Sequence, residues 1–247
     1  RHVGGRLHFS FHLGFPLRAL AAALHLQPRF HAVCVVSHRV RYRRIDDGAI
    51  RLGAMDRELS KPLIIYLHGF CSSPASWKSQ MLAEEMARRG MAAQFVCPQL
   101  SWVPNEAVAS VSRLIEQAGG PVTLIGSSLG GHYANHLAEK HGLKAVLINP
   151  AAVDRLDLAK FVGDHANFHS GERFTFTEAH AAQLKAQVRQ PTPARYWLLA
   201  EIGDEVLDYR QAQAFYAGCR QTVLTGGDHS FTKFPDFVPQ IIEFAGL

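Results

Sequence analysis

The most constraining stretch of this 247-residue chain is Gly126-Ser127-Ser128-Leu129-Gly130, set between an apolar run at residues 122–125 and a helical pattern at residues 128–139. A serine flanked in this way, at a junction of that kind, implies a sharp strand-to-helix turn that lifts one hydroxyl clear of the backbone. The glycines have a steric reason. Side chains two residues to either side of the turn would collide with it or with neighbouring strands. Ser128 has glycine at both of those positions and Ser127 has neither, so Ser128 is the candidate nucleophile. Gly131 and Ala134 are small enough to let the following helix approach the strands closely.

The surrounding sequence repeats the same alternation. Leu63-Ile64-Ile65-Tyr66-Leu67 follows Pro62 and is apolar throughout, the mark of a parallel strand buried on both faces. The pattern predicts a helix over 80–89 closed by Gly90 in the left-handed conformation. A second strand is expected over 93–97, ended by Pro98. Asn105 reads as the cap of a helix with Val108, Val111 and Ile115 on one face, stopped by Gly119-Gly120-Pro121. Further strands are expected at 145–148, 196–200 and 221–224, and a last helix over 235–244. Strands and helices alternating at this spacing predict an α/β fold with a doubly wound, mostly parallel sheet, in which ligands sit beyond the carboxyl ends of the strands.

The candidate chemistry falls where that rule puts it. A serine hydroxyl is a weak nucleophile until a base takes its proton, and the base needs an acid to orient it. Asp204 follows the 196–200 strand within Gly203-Asp204-Glu205-Val206-Leu207. His229 follows the 221–224 strand within Gly226-Gly227-Asp228-His229-Ser230-Phe231. Serine, acid and histidine in that chain order are the arrangement of an α/β-hydrolase. Glu205 and Asp208 are rivals, but Asp204 has the better offset from its strand, and Asp228 reads as shaping the His229 loop. Charge developing on a carbonyl oxygen also needs N–H donors. Tyr66-Leu67-His68-Gly69-Phe70 follows the first strand, so the backbone N–H groups of Phe70 and Leu129 are the expected oxyanion hole, with His68 a structural hydrogen-bonding residue. His132 and His136, like His165 and His169, are four residues apart but lack the glutamate of a zinc motif, so neither a metal nor another cofactor is expected.

Charge is unevenly spread. Residues 1–54 hold nine Arg and two Asp, a net of +7, while residues 55–247 hold 17 Lys and Arg against 19 Asp and Glu, a net of −2. The basic balance of the chain therefore belongs to its first 54 residues, and the rest shows no stripe fit for nucleic acid. That segment is Arg-rich and acid-poor, partly like a transit peptide. Met55, however, opens the stretch that leads straight into the first strand. Residues 1–54 therefore read as an upstream extension that is not native, with a small hairpin from 33–36 and 39–42, ahead of one domain at 55–247. Cys34, Cys71, Cys97 and Cys219 form no pairing pattern, which favours a reducing compartment. No apolar run approaches the ~20 residues of a membrane span.

Taken jointly, the motifs resemble the small bacterial YqiA/YcfP-like esterases. They are Tyr66-Leu67-His68-Gly69-Phe70 with Ser72-Ser73-Pro74 and Lys78, Pro98-Gln99-Leu100, the Ser128 turn, Leu147-Ile148-Asn149-Pro150-Ala151, and the Asp204 and His229 segments. The likeness covers nearly all of residues 62–247. It implies a compact cytoplasmic α/β-hydrolase fold with a small lid insert, acting as an esterase or thioesterase on acyl esters, acyl-CoA among them. It also places Ser128, Asp204 and His229 at the triad positions. Cys71 departs from the pattern, which has Asn there. The insert at about 151–195 carries Phe161, Phe168, Phe174 and Phe176, which could wall an acyl pocket. Lys160, Arg173, Lys185 and Arg189 could meet a coenzyme A phosphate, although solvated surface is the plainer reading of each. The alternative from another class is a catalytically silent α/β-hydrolase used for binding or as a scaffold. A third keeps the fold and cleaves peptides or carbon–carbon bonds.

Overall fold

A strand that is apolar on both faces is stable only where helices cover both sides of its sheet. Four central strands meet that demand, and two half-buried strands flank them. The computed structural model describes residues 61–247; the extension at 1–54, the Met55 boundary and the hairpin expected at 33–36 and 39–42 lie outside the described residues. The strands are β1 (Leu63–Leu67), β2 (Phe95–Val96), β3 (Val122–Ser127), β4 (Lys144–Ile148), β7 (Tyr196–Glu201) and β8 (Arg220–Leu224). They form one sheet in the order β2-β1-β3-β4-β7-β8, every pair parallel. The register brings Leu67 level with Gly126, and Ser127 level with Ile148, so the turns after β1, β3 and β4 open side by side.

Alternate residues of each strand enter different cores. Ile64, Tyr66, Ile125, Val146 and Ile148 pack with Leu82 and Met86 of α1 (Trp77–Arg88) and with Phe234 and Ile241 of α6 (Phe234–Phe244). Ile65, Leu67, Leu124 and Leu147 face the other way, toward α2 (Pro104–Gln117) and α3 (Leu129–His141). Burying one such side chain contributes about 1.5–3 kcal/mol, so these two layers hold the sheet edges in place.

Three local expectations shift. The first helix begins at Trp77 rather than residue 80. The strand expected over 93–97 is only Phe95–Val96, because Ala92–Gln94 form a 3-10 turn held by the bond from Gln94 N to Met91 O. Asn105 does not cap the next helix. Pro104, with its preset φ, occupies the first turn, and Val103 is the cap residue. Asn105 instead turns to the insert, its Oδ1 accepting from Gln187 Nε2 and its N–H donating to Gln183 Oε1.

The insert between β4 and β7 contains an antiparallel pair, β5 (Gly163–Ala166) and β6 (Arg173–Phe176), followed by α4 (Glu178–Ala186). Phe174, Phe176, Ala181 and Leu184 are buried against the α2–α3 side of the core. The hairpin tip is tied to the body at two points. Asn167 Nδ2 donates to Ser72 O at 2.7 Å, and the Phe168 N–H donates to Cys71 O at 2.7 Å. Between β7 and β8 lies α5 (Tyr209–Phe215), capped by Asp208. Among the described residues, no helix is long and apolar enough to cross a membrane.

Candidate active site

Ser128 stands at the end of β3 with φ 55 and ψ −123, a conformation that a non-glycine residue adopts only under constraint. Its main chain supplies that constraint, since its N–H donates to Ile148 O and its carbonyl accepts from Gly131 and Ala151. The flanking glycines are steric necessities. A Cβ on Gly126 would strike the Gly130 carbonyl, and a Cβ on Gly130 would strike the Leu67 carbonyl.

The three side chains expected to act together do meet. His229 Nε2 lies 3.1 Å from Ser128 Oγ. On the other side of the ring, Nδ1 lies 2.8 and 3.0 Å from the two oxygens of Asp204. A carboxylate at Nδ1 holds the proton there and leaves the Nε2 lone pair facing the serine hydroxyl. The Asp204 side chain is 2% exposed and that of His229 22%, so the orienting pair is dry while the imidazole edge remains open to a ligand. Asp204 Oδ1 also accepts the N–H groups of Val206 and Leu207, which fixes the carboxylate in its turn. The rivals are used elsewhere. Glu205 accepts the main-chain N–H of His229, and Asp208 caps α5.

The Phe70 and Leu129 N–H groups expected to form the oxyanion hole have no acceptor among the described residues. The turn that carries Phe70 abuts the serine, since a Cβ on Gly69 would lie 3.2 Å from Ser128 Cβ. His68 is structural. The Leu100 N–H donates to its Nε2, which leaves the proton on Nδ1 to be donated to Gly69 O. Burial pushes its pKa down to about 4, opposed by the hydrogen bond to Gly69 and assisted by His169.

Sequence reasoning missed the supports of the His229 loop. Asn149, buried just past β4 at φ 39, accepts the Glu201 N–H and donates through Nδ2 to Asp228 O and His229 O. The Glu201 carboxylate, fully buried, accepts the Asp228 N–H and occupies the space where a Cβ on Gly227 would lie. From α1, Lys78 Nζ donates to Ser230 O at 2.6 Å. One signal was readable: a glutamate closing the otherwise apolar run of β7, where a buried charge requires a purpose.

Above the serine opens a cavity of about 480 Å³, within the usual range for small-molecule sites. Phe161, Phe168 and Phe176 line it, together with Phe70, Leu156 and Leu158. Phe174 does not; it stacks on Trp102 and meets the edge of Phe70. Lys160, Arg173, Lys185 and Arg189 are exposed and outside the lining. His132 and His136 are buried in α3, with His136 Nδ1 donating to Gln187 O, and His165 Nε2 bonds to Phe161 O. No group of three or more His, Cys, Asp and Glu able to hold a metal occurs among the described residues.

A parallel sheet wound by helices on both faces, with a strained serine between β3 and α3 and an acid and a histidine after later strands, is the α/β-hydrolase fold. Solved structures share it. A protein of Agrobacterium vitis superposes with a TM-score of 0.60 at 19% identity, over 77% of this chain and 88% of that one. Alpha/beta hydrolase domain-containing protein 10 from mouse gives 0.57 at 19% identity, over 76% and 90%. A structure of the metagenome-derived lipolytic enzymes LipS and LipT gives 0.55 at 16% identity, over 76% and 95%. More specifically, the profile described as Uncharacterised protein family (UPF0227) matches residues 63–246, and the chain belongs to that family. The family resemblance read from the motifs holds.

Proposed function

We propose that this protein is a serine hydrolase that cleaves carboxylic esters or thioesters through an acyl-enzyme on Ser128. The observation that carries the proposal is the chain from Ser128 Oγ to His229 Nε2 at 3.1 Å and from His229 Nδ1 to Asp204 at 2.8 Å, at the floor of a largely apolar cavity. As His229 takes the hydroxyl proton, the Oγ–carbon bond forms and the carbonyl electrons move onto oxygen. The Phe70 and Leu129 N–H groups receive that charge. The carbon–oxygen bond to the leaving alcohol, or the carbon–sulfur bond to a leaving thiol, then breaks, and the imidazolium returns its proton to the departing atom. Water, deprotonated by the same imidazole, releases the acid and restores Ser128. The fold shared with lipolytic enzymes supports this reading. A reducing, cytoplasmic setting belongs to the proposal, with which the free thiols of Cys71, Cys97 and Cys219 are compatible.

Ser128→Ala is expected to lower p-nitrophenyl butyrate turnover on the order of 10⁶-fold without changing the circular dichroism spectrum. The wild type is expected to take a fluorophosphonate label that the variant refuses. Equal turnover, or equal labelling, refutes Ser128 as the nucleophile, and a wild type that neither labels nor turns over would be the silent scaffold.

A further inference from the structure

The cavity has two unlike walls. The lining from the insert is aliphatic and aromatic apart from His169, whereas that from β1, the end of β3, the start of α1 and the chain after His229 includes Tyr66, Ser127, Ser76, Lys78 and Ser230. Several hydrogen-bonding groups of this second wall are unused. The Tyr66 hydroxyl and Ser76 Oγ are buried and make no well-aligned hydrogen bond among the described residues, although the neighbouring Ser127 side chain acts on the Tyr66 hydroxyl. Lys78 is 7% exposed and makes one hydrogen bond, to Ser230 O. Two of its three N–H donors have no acceptor among the described residues. A buried polar group left unpaired costs about 1–3 kcal/mol, and two such groups beside a lysine with donors to spare, all lining one cavity, point to a ligand that supplies their partners.

Charge narrows the ligand. Burial pushes the Lys78 ammonium down to about 8, against the pull of the Asp228, Glu201 and Asp204 carboxylates. Three carboxylates thus already act on one ammonium, so an added anion would meet repulsion. Neutral oxygens would not.

Position narrows it again, on the serine-hydrolase reading, on which this inference rests. The imidazolium must reach the leaving oxygen, so the leaving group lies on the His229 side of Ser128. Lys78 is bonded to the residue next to His229. We propose that Tyr66, Ser76 and Lys78 form a leaving-group subsite for an uncharged, hydroxylated alcohol, which makes acyl esters of polyhydric alcohols the preferred substrate class.

Glycerol 1-monobutyrate and propyl butyrate share a carbon skeleton and differ by the two free hydroxyls of the leaving alcohol. In the wild type the ratio of their kcat/KM values is expected to exceed about 10 in favour of the glycerol ester. It is expected to fall about tenfold in Tyr66→Phe and in Lys78→Met, a ratio from which general damage to turnover cancels. Tyr66→Phe removes a single oxygen and serves if Lys78→Met does not fold. A wild-type ratio near one, a ratio unchanged in the folded variants, or a fluorophosphonate-labelled enzyme that turns over neither ester overturns the subsite and leaves Ser128 as nucleophile. A wild type that neither labels nor turns over either ester fails the hydrolase reading, and the subsite with it.

Discussion

The turns at the carboxyl edge of the sheet and the insert above them serve the same serine in different ways. At the sheet edge, buried polar groups fix the side chains of the proposed triad: Asp204 holds two N–H groups of its own turn, and Asn149 and Glu201 hold the His229 loop. The insert lines the cavity mainly with carbon, through Phe161, Phe176 and their neighbours. Hydrogen bonds fail abruptly when displaced, whereas apolar contacts degrade by degrees. The first region therefore governs whether the proposed reaction runs, and the second governs which chains it runs on.

Substitutions at the sheet edge should act on kcat. Asp204→Asn keeps the size of the side chain and loses the charge that sets the tautomer. Its kcat on p-nitrophenyl butyrate should fall about 10⁴-fold, and a loss under tenfold would mean that Asp204 does not orient His229. Acid should act on the same region through stability. His68 titrates near 4 when folded and near 6.5 when free. Between those values the unfolded chain binds a proton that the folded chain refuses, so stability falls as pH drops from 6.5 toward 4, by about 3 kcal/mol at the lower end. His68→Gln, in urea titrations from about pH 7 to 4, should lack that part of the loss; an unchanged slope assigns it elsewhere.

Asn149→Ala removes two hydrogen bonds to the His229 loop and the acceptor of the Glu201 N–H at the end of β7. A stability loss of about 1–3 kcal/mol is expected, together with a lower kcat at little changed KM. A change confined to melting temperature would reduce Asn149 to a structural role.

The insert should respond differently. Phe161→Ala is expected to weaken kcat/KM by about 1–3 kcal/mol and to move the preference toward bulkier acyl groups across a p-nitrophenyl ester series. An unchanged preference would erase the contrast between the two regions. The smallest effect is at Cys71, which sits at φ 55 beside the proposed oxyanion turn. Cys71→Asn places there a residue that tolerates the left-handed region, and should raise stability by about 0.5–1 kcal/mol, as read by the denaturation midpoint.

The same contrast explains what was legible in the sequence. β1, β3, β4 and β7 could be read because runs buried on both faces leave little choice of residue, and prolines and glycines mark their ends. The proposed triad of Ser128, Asp204 and His229 could be read because hydrolase chemistry fixes both residue type and chain order. Asn149 and Lys78 could not, since each acts on a carbonyl far along the chain, and a carbonyl imposes no residue type on its donor. β2 was overread because Ala92–Gln94 carry no turn residue; the 3-10 bond that shortens the strand is made by the backbone alone. In the insert, spacing located the segment and the phenylalanines, but did not show that Phe174 and Phe176, on one face of β6, would divide between Trp102 and the cavity.

The ties between hairpin tip and body end on the main-chain oxygens of Cys71 and Ser72. A main-chain oxygen survives every substitution at its own position. Those two residues can therefore be substituted while the hairpin stays fastened. Transplanting the insert between members of the family would then depend on keeping Asn167 and the backbone path of the acceptor turn, not on matching any side chain across the seam.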